Sequence, residues 1–232
     1  MAKKAYIGVD NVARKIKKGY IGVDGIARKI KKAYIGIGGV ARPCWGAGAE
    51  YYGAITPLVA ARYHLAATTV GNYALFAGGN DSKRTTYRVD AYDTSLTHAH
   101  RVDWLSVKRK NLAATTVGNY ALFGGGYNSD NYSESSHVDA YDTSLTKTSP
   151  TSLSRGVENL AATTVGDCAL FGGGYKRSAV VDVYDTSLTR TTAAALSEAR
   201  YELAATTVGN YALFGGGQGD DYSAVVDAYI CE

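Results

Sequence analysis

Short apolar runs separated by polar or glycine pairs recur along the chain, and they predict strands rather than helices. In residues 1–46 a Tyr-Ile-Gly run occurs in three copies of 14 residues, each continued by a polar or glycine pair and then by Val or Ile, Ala and Arg. In the first two copies this second run goes on with alternating basic and apolar residues, which is the period of a strand. Ala, Arg and Lys also favour helices, but each copy leaves room for only about two helical turns. We therefore predict one hairpin in each copy.

A second, longer repeat occupies the rest of the chain in four copies. Its marker Leu-Ala-Ala-Thr-Thr-Val-Gly begins at Leu65, Leu112, Leu160 and Leu203, at spacings of 47, 48 and 43 residues. Each marker is followed by Asn or Asp, an apolar run ending in Ala-Leu-Phe, glycines, a variable segment and Val-Asp-Ala-Tyr or Val-Asp-Val-Tyr. Repeats of about 20–50 residues are typical of solenoids and propellers.

Each part of the longer repeat predicts a structure. The Gly-Asn or Gly-Asp pair is a two-residue hairpin turn, and small Ala and Thr side chains suit an innermost strand. The glycines after Phe allow a neighbour to approach closely, and Val-Asp-Ala-Tyr alternates as a third strand does. The recurring aspartates are expected to bond backbone N–H groups at turns or strand edges: Asp90 and Asp93, Asp139 and Asp142, Asp182 and Asp185. Each copy thus predicts a four-stranded antiparallel sheet.

These motifs together resemble the kelch repeat. The resemblance rests on the glycine pair after an apolar strand, on Val-Asp-Ala-Tyr-Asp, and on an arginine shortly before the marker: Arg62, Arg109, Arg155 and Arg200. It implies that each sheet is a propeller blade. The predicted fold class is all-β: a small four-bladed kelch-like β-propeller in residues 54–232, preceded by a β-hairpin repeat segment at 1–46 and a linker at 47–53.

The two ends of the longer repeat predict how the propeller closes. The last copy stops after Val-Asp-Ala-Tyr-Ile at residues 226–230, so its outer strand is missing, whereas residues 54–64 match the end of a copy. We expect residues 54–64 to supply the missing strand, because an unclosed ring leaves strand edges open to aggregation. The alternatives are an open arc that pairs with a second copy, or a truncated form of a longer ring.

Charge divides the chain in the same place as the repeats. Residues 1–46 hold 11 basic and two acidic residues, a net charge of +9, whereas residues 47–232 hold 14 basic and 19 acidic residues, a net charge of −5. A basic segment can bind nucleic acid, but lysines also keep strand edges from pairing wrongly. We favour the second interpretation, so nucleic acid is the less favoured partner.

The basic segment has a resemblance of its own. Residues 5–45 resemble short repeats in tail-associated proteins of bacterial prophages, which implies self-association or attachment to a particle through residues 1–46. The sequence has no apolar run of about 18 residues, so no membrane span is expected. It has no apolar signal-peptide core near residue 1. The localisation therefore stays open between virion-associated and cytoplasmic.

The sequence offers few groups for catalysis. His98 and His100 could form a weak metal pair, but without a neighbouring Cys or Asp partner they are expected to be loop histidines. Cys44, Cys168 and Cys231 are widely spaced, so we predict neither a disulfide framework nor a zinc site, and Cys168 is expected to be a packed apolar residue. We therefore expect no catalytic residue, no metal and no cofactor.

Variation between the four copies falls on one predicted face. In a four-stranded meander the second turns and the links between copies share a side, and these segments differ in length and content. Their candidate binding residues for a protein or glycan are Tyr87, Arg88, Tyr127, Tyr132, His137, Tyr175, Lys176, Arg177, Asp220, Asp221 and Tyr222. The sequence thus predicts a non-enzymatic recognition module, in the prophage interpretation one that contacts a host surface ligand. The alternatives are a propeller hydrolase or oxidase and an intracellular interaction scaffold.

Overall fold

The structure is a computed structural model that describes residues 51–99 and 102–231, together with the backbone of six strands within residues 5–45. The chain divides into two compact units, Met1–Ala54 and Ile55–Glu232. The described residues form strands and turns and contain no helix. Accordingly, no described segment is a helix that could cross a membrane.

The first unit consists of three two-stranded antiparallel sheets. In each, two residues separate the strands, as in the pairing of Val9 with Val12. The predicted hairpins are therefore confirmed, and the basic run is a strand and not a helix. The strands are β1 (Ala5–Val9), β2 (Val12–Ile16), β3 (Tyr20–Val23), β4 (Ile26–Lys29), β5 (Ala33–Ile37) and β6 (Val40–Trp45).

The second unit contains four antiparallel sheets, one for each copy of the longer repeat. Sheet I has β7 (Ala66–Val70), β8 (Tyr73–Ala77) and β9 (Val89–Tyr92); sheet II has β10 (Ala113–Val117), β11 (Tyr120–Gly124), β14 (Val138–Tyr141) and β15 (Lys147–Thr148), with a small hairpin of β12 (Tyr127–Asn128) and β13 (Ser133–Glu134) inserted. Sheet III has β16 (Ala161–Val165), β17 (Cys168–Gly172), β18 (Val181–Tyr184) and β19 (Arg190–Thr192); sheet IV has β20 (Ala204–Val208), β21 (Tyr211–Gly215) and β22 (Val226–Tyr229).

The first strands of successive sheets lie side by side, in the order β7, β10, β16, β20. Their threonines are joined by hydrogen bonds across each junction. The hydroxyl pairs are 2.7–2.8 Å apart: Thr68 with Thr116, Thr115 with Thr164, and Thr163 with Thr207. Small residues on the first strands therefore allow contacts between sheets that a larger side chain would prevent.

The glycine pair after the second strand of sheets I, II and III brings the next sheet into close contact. The N–H of Gly79 donates to the Arg109 carbonyl at 2.9 Å, and the N–H of Gly126 donates to the Val157 carbonyl at 2.7 Å. Gly78, at φ +68°, has so little free space that a Cβ there would lie 2.5 Å from the Arg109 oxygen. Both the positive φ and the close approach require glycine.

A buried ion pair fastens the link before each of three sheets to that sheet's third strand. The guanidinium of Arg109 donates to the Asp139 carboxylate at 2.6 Å and to the Phe123 carbonyl at 3.0 Å, and both charged side chains are fully buried. Burial lowers the pKa of Arg109, although the Asp139 carboxylate opposes this shift. Sheets I and IV repeat the arrangement with Arg62–Asp90 and Arg200–Asp227.

These pairs correct the prediction for one of the two aspartates in each motif. The first aspartate of each motif is not a turn or strand-edge residue. Asp90, Asp139 and Asp182 are buried, and each is bonded by a cation and by a backbone N–H group of the link before its sheet. The second aspartate does bond turn N–H groups as predicted, in Asp93, Asp142 and Asp185.

Arg155 is not the counterpart of the buried arginines. It is exposed, and Val157 fills the corresponding position three residues before Leu160. Sheet III supplies the missing cation from its own fourth strand, where Arg190 donates to Asp182 at 2.8 Å. In the third copy, the arginine nearest the marker in sequence is therefore not the residue equivalent to Arg109.

The predicted latch is not confirmed. Residues 54–64 form no strand. Apart from the His64 carbonyl, which accepts from the Asn111 N–H before sheet II, their described hydrogen bonds go to sheet I and its second turn. The N–H of Val59 donates to Asp90 at 3.0 Å, and the Tyr92 hydroxyl donates to the Thr56 carbonyl at 2.9 Å. In sheet IV, β22 is the outermost of three strands. Among the strand contacts, β7 and β20 are not neighbours.

A disulfide joins sheets III and IV, contrary to the sequence prediction. Cys168 and Cys231 are bonded, with Cα atoms 5.9 Å apart. Cys168 occupies the Tyr position of its repeat and Cys231 the Thr position of the next. At the other two junctions this Thr lies beside the first-turn glycine of the preceding sheet. Cys168 is therefore not simply a packed apolar residue.

Removing the buried cation should destabilise the second unit far more than removing an exposed one. We expect Arg109→Ala to lower the free energy of unfolding by about 3–5 kcal/mol, because the Asp139 carboxylate stays buried without its partner. The matched control Arg155→Ala should change it by no more than about 0.5 kcal/mol. Urea unfolding followed by circular dichroism measures both, and equal effects would contradict the assignment.

Loss of the disulfide should also destabilise the second unit. The bond spans 63 residues, and we expect the Cys168→Ser/Cys231→Ser variant to unfold with a free energy lower by about 2–4 kcal/mol. Cys44→Ser serves as the control and should leave it unchanged. The comparison uses urea unfolding without reductant; a double variant as stable as the control would refute a structural role for the bond.

Candidate functional site

The variable second turns of the four sheets form one continuous strip, called here the loop strip (residues 80–88, 127–137, 175–180 and 218–225). Each turn contacts the next through a polar pair. Thr85 and Ser129 hydroxyls are 3.0 Å apart, Lys176 donates to Glu134 at 2.9 Å, and Arg177 pairs with Asp220. The predicted grouping of these turns is thus present as direct contacts between them.

The invariant turns meet one another separately. A Cβ on Gly71 would lie 3.0 Å from the Thr143 side chain, and one on Gly118 would lie 3.0 Å from that of Thr186. First turns therefore contact third turns of the next sheet, whereas second turns contact second turns. This division explains why the repeat tolerates variation in the loop strip and not in the turns that must fit a neighbour.

At sheet I the loop strip begins with an aromatic and basic cluster. The Tyr87 ring stacks on Trp104 with ring centroids 4.8 Å apart. The Arg88 guanidinium lies 5.5 Å from the Trp104 centroid, and the Lys108 ammonium lies 5.8 Å from that of Tyr87. Lys108 also pairs with Asp130 of the next turn at 2.6 Å. Tyr87 and Arg88 are consequently half-buried and held in place.

At sheet II the predicted residues differ in accessibility. Tyr127 is half-buried under the Lys110 ammonium, 5.6 Å from its ring centroid, whereas Tyr132 is 81% exposed. The His137 side chain is exposed, and its backbone carbonyl accepts a hydrogen bond from Arg109. Tyr132 therefore presents most of its ring to solvent.

At sheets III and IV the loop strip contains a cleft of about 470 Å³. Four predicted residues line it, together with Glu198 and Ser223: Arg177, Asp220, Asp221 and Tyr222. The Ser223 hydroxyl donates to Glu198 at 2.7 Å, and the Arg200 guanidinium donates to the Ser223 oxygen at 3.2 Å. The cleft thus has a polar floor tied to the buried Arg200–Asp227 pair.

The residues next to this cleft include both positively and negatively charged side chains. Tyr175 packs its ring edge against Tyr201 at 5.3 Å, and Lys176 and Arg177 follow it with positive φ values of 62° and 56°. The hydrogen bond from Lys176 lowers the pKa of Glu134 despite the opposing effect of burial, and the same contact raises the pKa of Lys176. Both side chains are therefore charged near neutral pH.

The structure describes only one member of the histidine pair, His98, and it has the aspartate neighbour that the sequence analysis did not expect. His98 Nε2 lies 2.6 Å from the Asp90 carboxylate beside Arg62, and His100 lies outside the described residues. Burial alone would raise the pKa of Asp90, but the hydrogen bonds from His98, Val59 and Arg62 outweigh it and lower the pKa. Among described residues, no group of three or more His, Cys, Asp or Glu could hold a metal ion.

Sequence reasoning missed several residues that shape the loop strip. Trp104, Lys108, Lys110 and Glu198 come from the links between copies, and Glu134 from a loop already chosen. The links were recognised as variable and as sharing the face, so their position was available in the sequence. Which link residues reach the loops depends on contacts that the repeat pattern does not encode.

The comparisons with known proteins add no relative. A scan of the sequence against models of protein families found no match. A search of curated proteins found no match either. The proposed function therefore rests on the geometry of the loop strip.

Changing Lys176 should move the pKa of Glu134. In Lys176→Ala we expect this pKa to rise towards its ordinary value, because the hydrogen bond that favours the carboxylate is lost. The stability from this carboxylate is present above its ordinary pKa and is lost as pH falls through the lowered value. Carboxyl ¹³C NMR titration measures the shift. Lys83→Ala is the control, and an unmoved Glu134 in Lys176→Ala would disprove the contact.

Proposed function

We propose that this chain is a non-enzymatic recognition module that binds its ligand through the loop strip. The observation that carries the proposal is the continuous contact between turns that differ from copy to copy, above sheets whose other turns are nearly invariant. Binding residues commonly lie on variable loops held by a rigid scaffold. The scaffold, in this proposal, is a kelch-like propeller in which each sheet is one blade and the chain supplies four of them.

The side chains of the loop strip favour a glycan as the ligand. Tyr132 and Tyr222 are 81% and 85% exposed, so each offers an open ring face on which a sugar can stack. The cleft beside Tyr222 is lined by the carboxylates of Glu198, Asp220 and Asp221, which accept hydrogen bonds from hydroxyl groups.

The prophage resemblance supplies the setting for this proposal. Residues 5–45 form three separate hairpins with strands of four to six residues, and isolated two-stranded hairpins are only marginally stable in water. We propose that these hairpins associate with one another or with a particle, so that the loop strip is presented to a host surface glycan. The repeated hairpin would then act in attachment and the second unit in recognition.

The proposal is tested by binding the purified chain to a glycan array and to bacterial envelope fractions. We expect selective binding, reduced about tenfold or more in Tyr132→Ala/Tyr222→Ala, as when an aromatic anchor is removed from an interface. Tyr52→Ala is the matched control, since Tyr52 is also exposed but belongs to the first unit.

Two results would contradict the proposal. The first is a uniformly blank array together with no retention on envelope fractions. The second is selective binding that Tyr52→Ala abolishes and Tyr132→Ala/Tyr222→Ala leaves intact, because the ligand would then be held outside the loop strip. Circular dichroism of each variant ensures that only folded proteins are compared.

A further inference from the structure

The outer face of sheet IV lacks the cover that the corresponding faces of sheets I to III receive. Val208 is 60% exposed, whereas its counterparts Val70, Val117 and Val165 are 1%, 0% and 4% exposed. Each of those three packs into a cluster with the Ala and Phe of the next sheet's second strand. Tyr211 and Val226 of sheet IV are exposed as well. The face is therefore built for a following sheet.

Sheet I has the complementary deficiency. Phe76 and Ala74 are half-buried, whereas their counterparts in sheets II to IV are buried against the preceding sheet: Phe123, Phe171, Phe214, Ala121, Ala169 and Ala212. Sheet I thus presents the side chains that cover the valine of a preceding sheet. Sheet IV presents an uncovered valine.

A series of backbone hydrogen bonds also stops at sheets I and IV and leaves a group without a described partner at each end. The N–H of Asn111 donates to the His64 carbonyl, that of Asn159 to the Asn111 carbonyl, and that of Glu202 to the Asn159 carbonyl, at 2.9–3.0 Å. All run in one direction. The series leaves a donor at one end, the N–H of His64, and an acceptor at the other, the Glu202 carbonyl, with no described backbone partner.

Two further series end in the same way. Thr206 is the one threonine at its repeat position without a hydroxyl partner among the described residues, and Thr69 is its unpaired counterpart at the other end. The N–H of Gly217 corresponds to the donors of Gly79, Gly126 and Gly174, yet it has no described acceptor. In each series, the group left without a described partner on sheet IV is of the kind that pairs with the next sheet at the internal junctions.

We infer that sheet IV docks against sheet I of a second copy of this chain, in a head-to-tail contact that repeats the three internal junctions. In this contact Val208 packs against Phe76 of the partner copy, and the Glu202 carbonyl accepts from the partner's His64 N–H. Because the two surfaces differ, the contact is heterologous, and it closes into a ring when the rotation between copies allows. The measured mass gives the number of copies.

The internal disulfide supplies a geometric test. Cys168 and Cys231 occupy the repeat positions of Tyr211 and Thr94. If the docking repeats the junction between sheets III and IV, Tyr211→Cys and Thr94→Cys come within bonding distance between copies. We expect the double variant, made in a Cys44→Ser background, to form a disulfide-linked oligomer under mild oxidation. Non-reducing electrophoresis and light scattering of the full chain detect it.

Two controls separate this contact from random oxidation. Each single cysteine variant should yield at most a low level of linked dimer. The pair Tyr211→Cys/Thr148→Cys should not yield linked oligomers, because Thr148 is exposed on β15, away from the junction positions. Mass spectrometry of the linked product identifies the bonded peptides.

An independent variant tests the apolar contact without cysteines. Val208→Lys should turn the oligomer into a monomer that stays folded, since Val208 is already exposed within the chain. Thr148→Lys should leave the oligomer intact. A wild-type chain that is monomeric throughout the concentration range, without cross-linking in the double variant, would overturn the inference. A disulfide formed within one chain between the cysteines introduced at positions 211 and 94 would also overturn it, because it would show that the four sheets close on themselves.

Discussion

The second unit depends on one constraint: each sheet buries one face of its neighbour, and its own faces are buried only by neighbouring sheets. Valine on one sheet meets Phe and Ala on the next, and the same junction recurs three times in the described chain. Stability in such an array is roughly the sum of sheet and junction contributions. The valine, Phe and Ala of this contact are therefore the same in every copy, whereas the second turns, whose contacts with one another are polar side-chain pairs, vary.

The buried arginines show how the constraint acts on individual residues. Arg109 and Arg200 each bond a strand carbonyl and the third-strand aspartate, so each holds the link before its sheet against that sheet. Sheet III reaches the same charge balance differently, with Val157 in the link and Arg190 on the fourth strand. What the fold requires is a cation at the aspartate, and the chain supplies it from whichever element can reach.

Local sequence was enough to predict the hairpins, the order of the first three strands of each sheet and the grouping of the variable turns, because two-residue turns and alternating runs are short-range features. The fourth strand was predicted for every copy but is present among the described residues only in sheets II and III. For Arg155 the spacing to the marker was informative: it precedes Leu160 by five residues, whereas the buried Arg109 precedes Leu112 by three. Local sequence failed where a partner lies on another sheet. Cys168 and Cys231 are 63 residues apart and become neighbours only through the junction. The loop strip was predicted as a set of loops, but its link residues, such as Trp104, depend on tertiary contacts.

The disulfide changes how the end of the array can open. A terminal sheet that has a neighbour on one side only is the place where an array of this kind frays first, because its opening breaks a single junction. Sheet IV occupies that place and also forms the cleft with Arg177 of sheet III. With Cys168 bonded to Cys231, sheet IV cannot drift away while sheet III stays folded. Local unfolding of the cleft is thereby coupled to unfolding of the more protected sheets behind it.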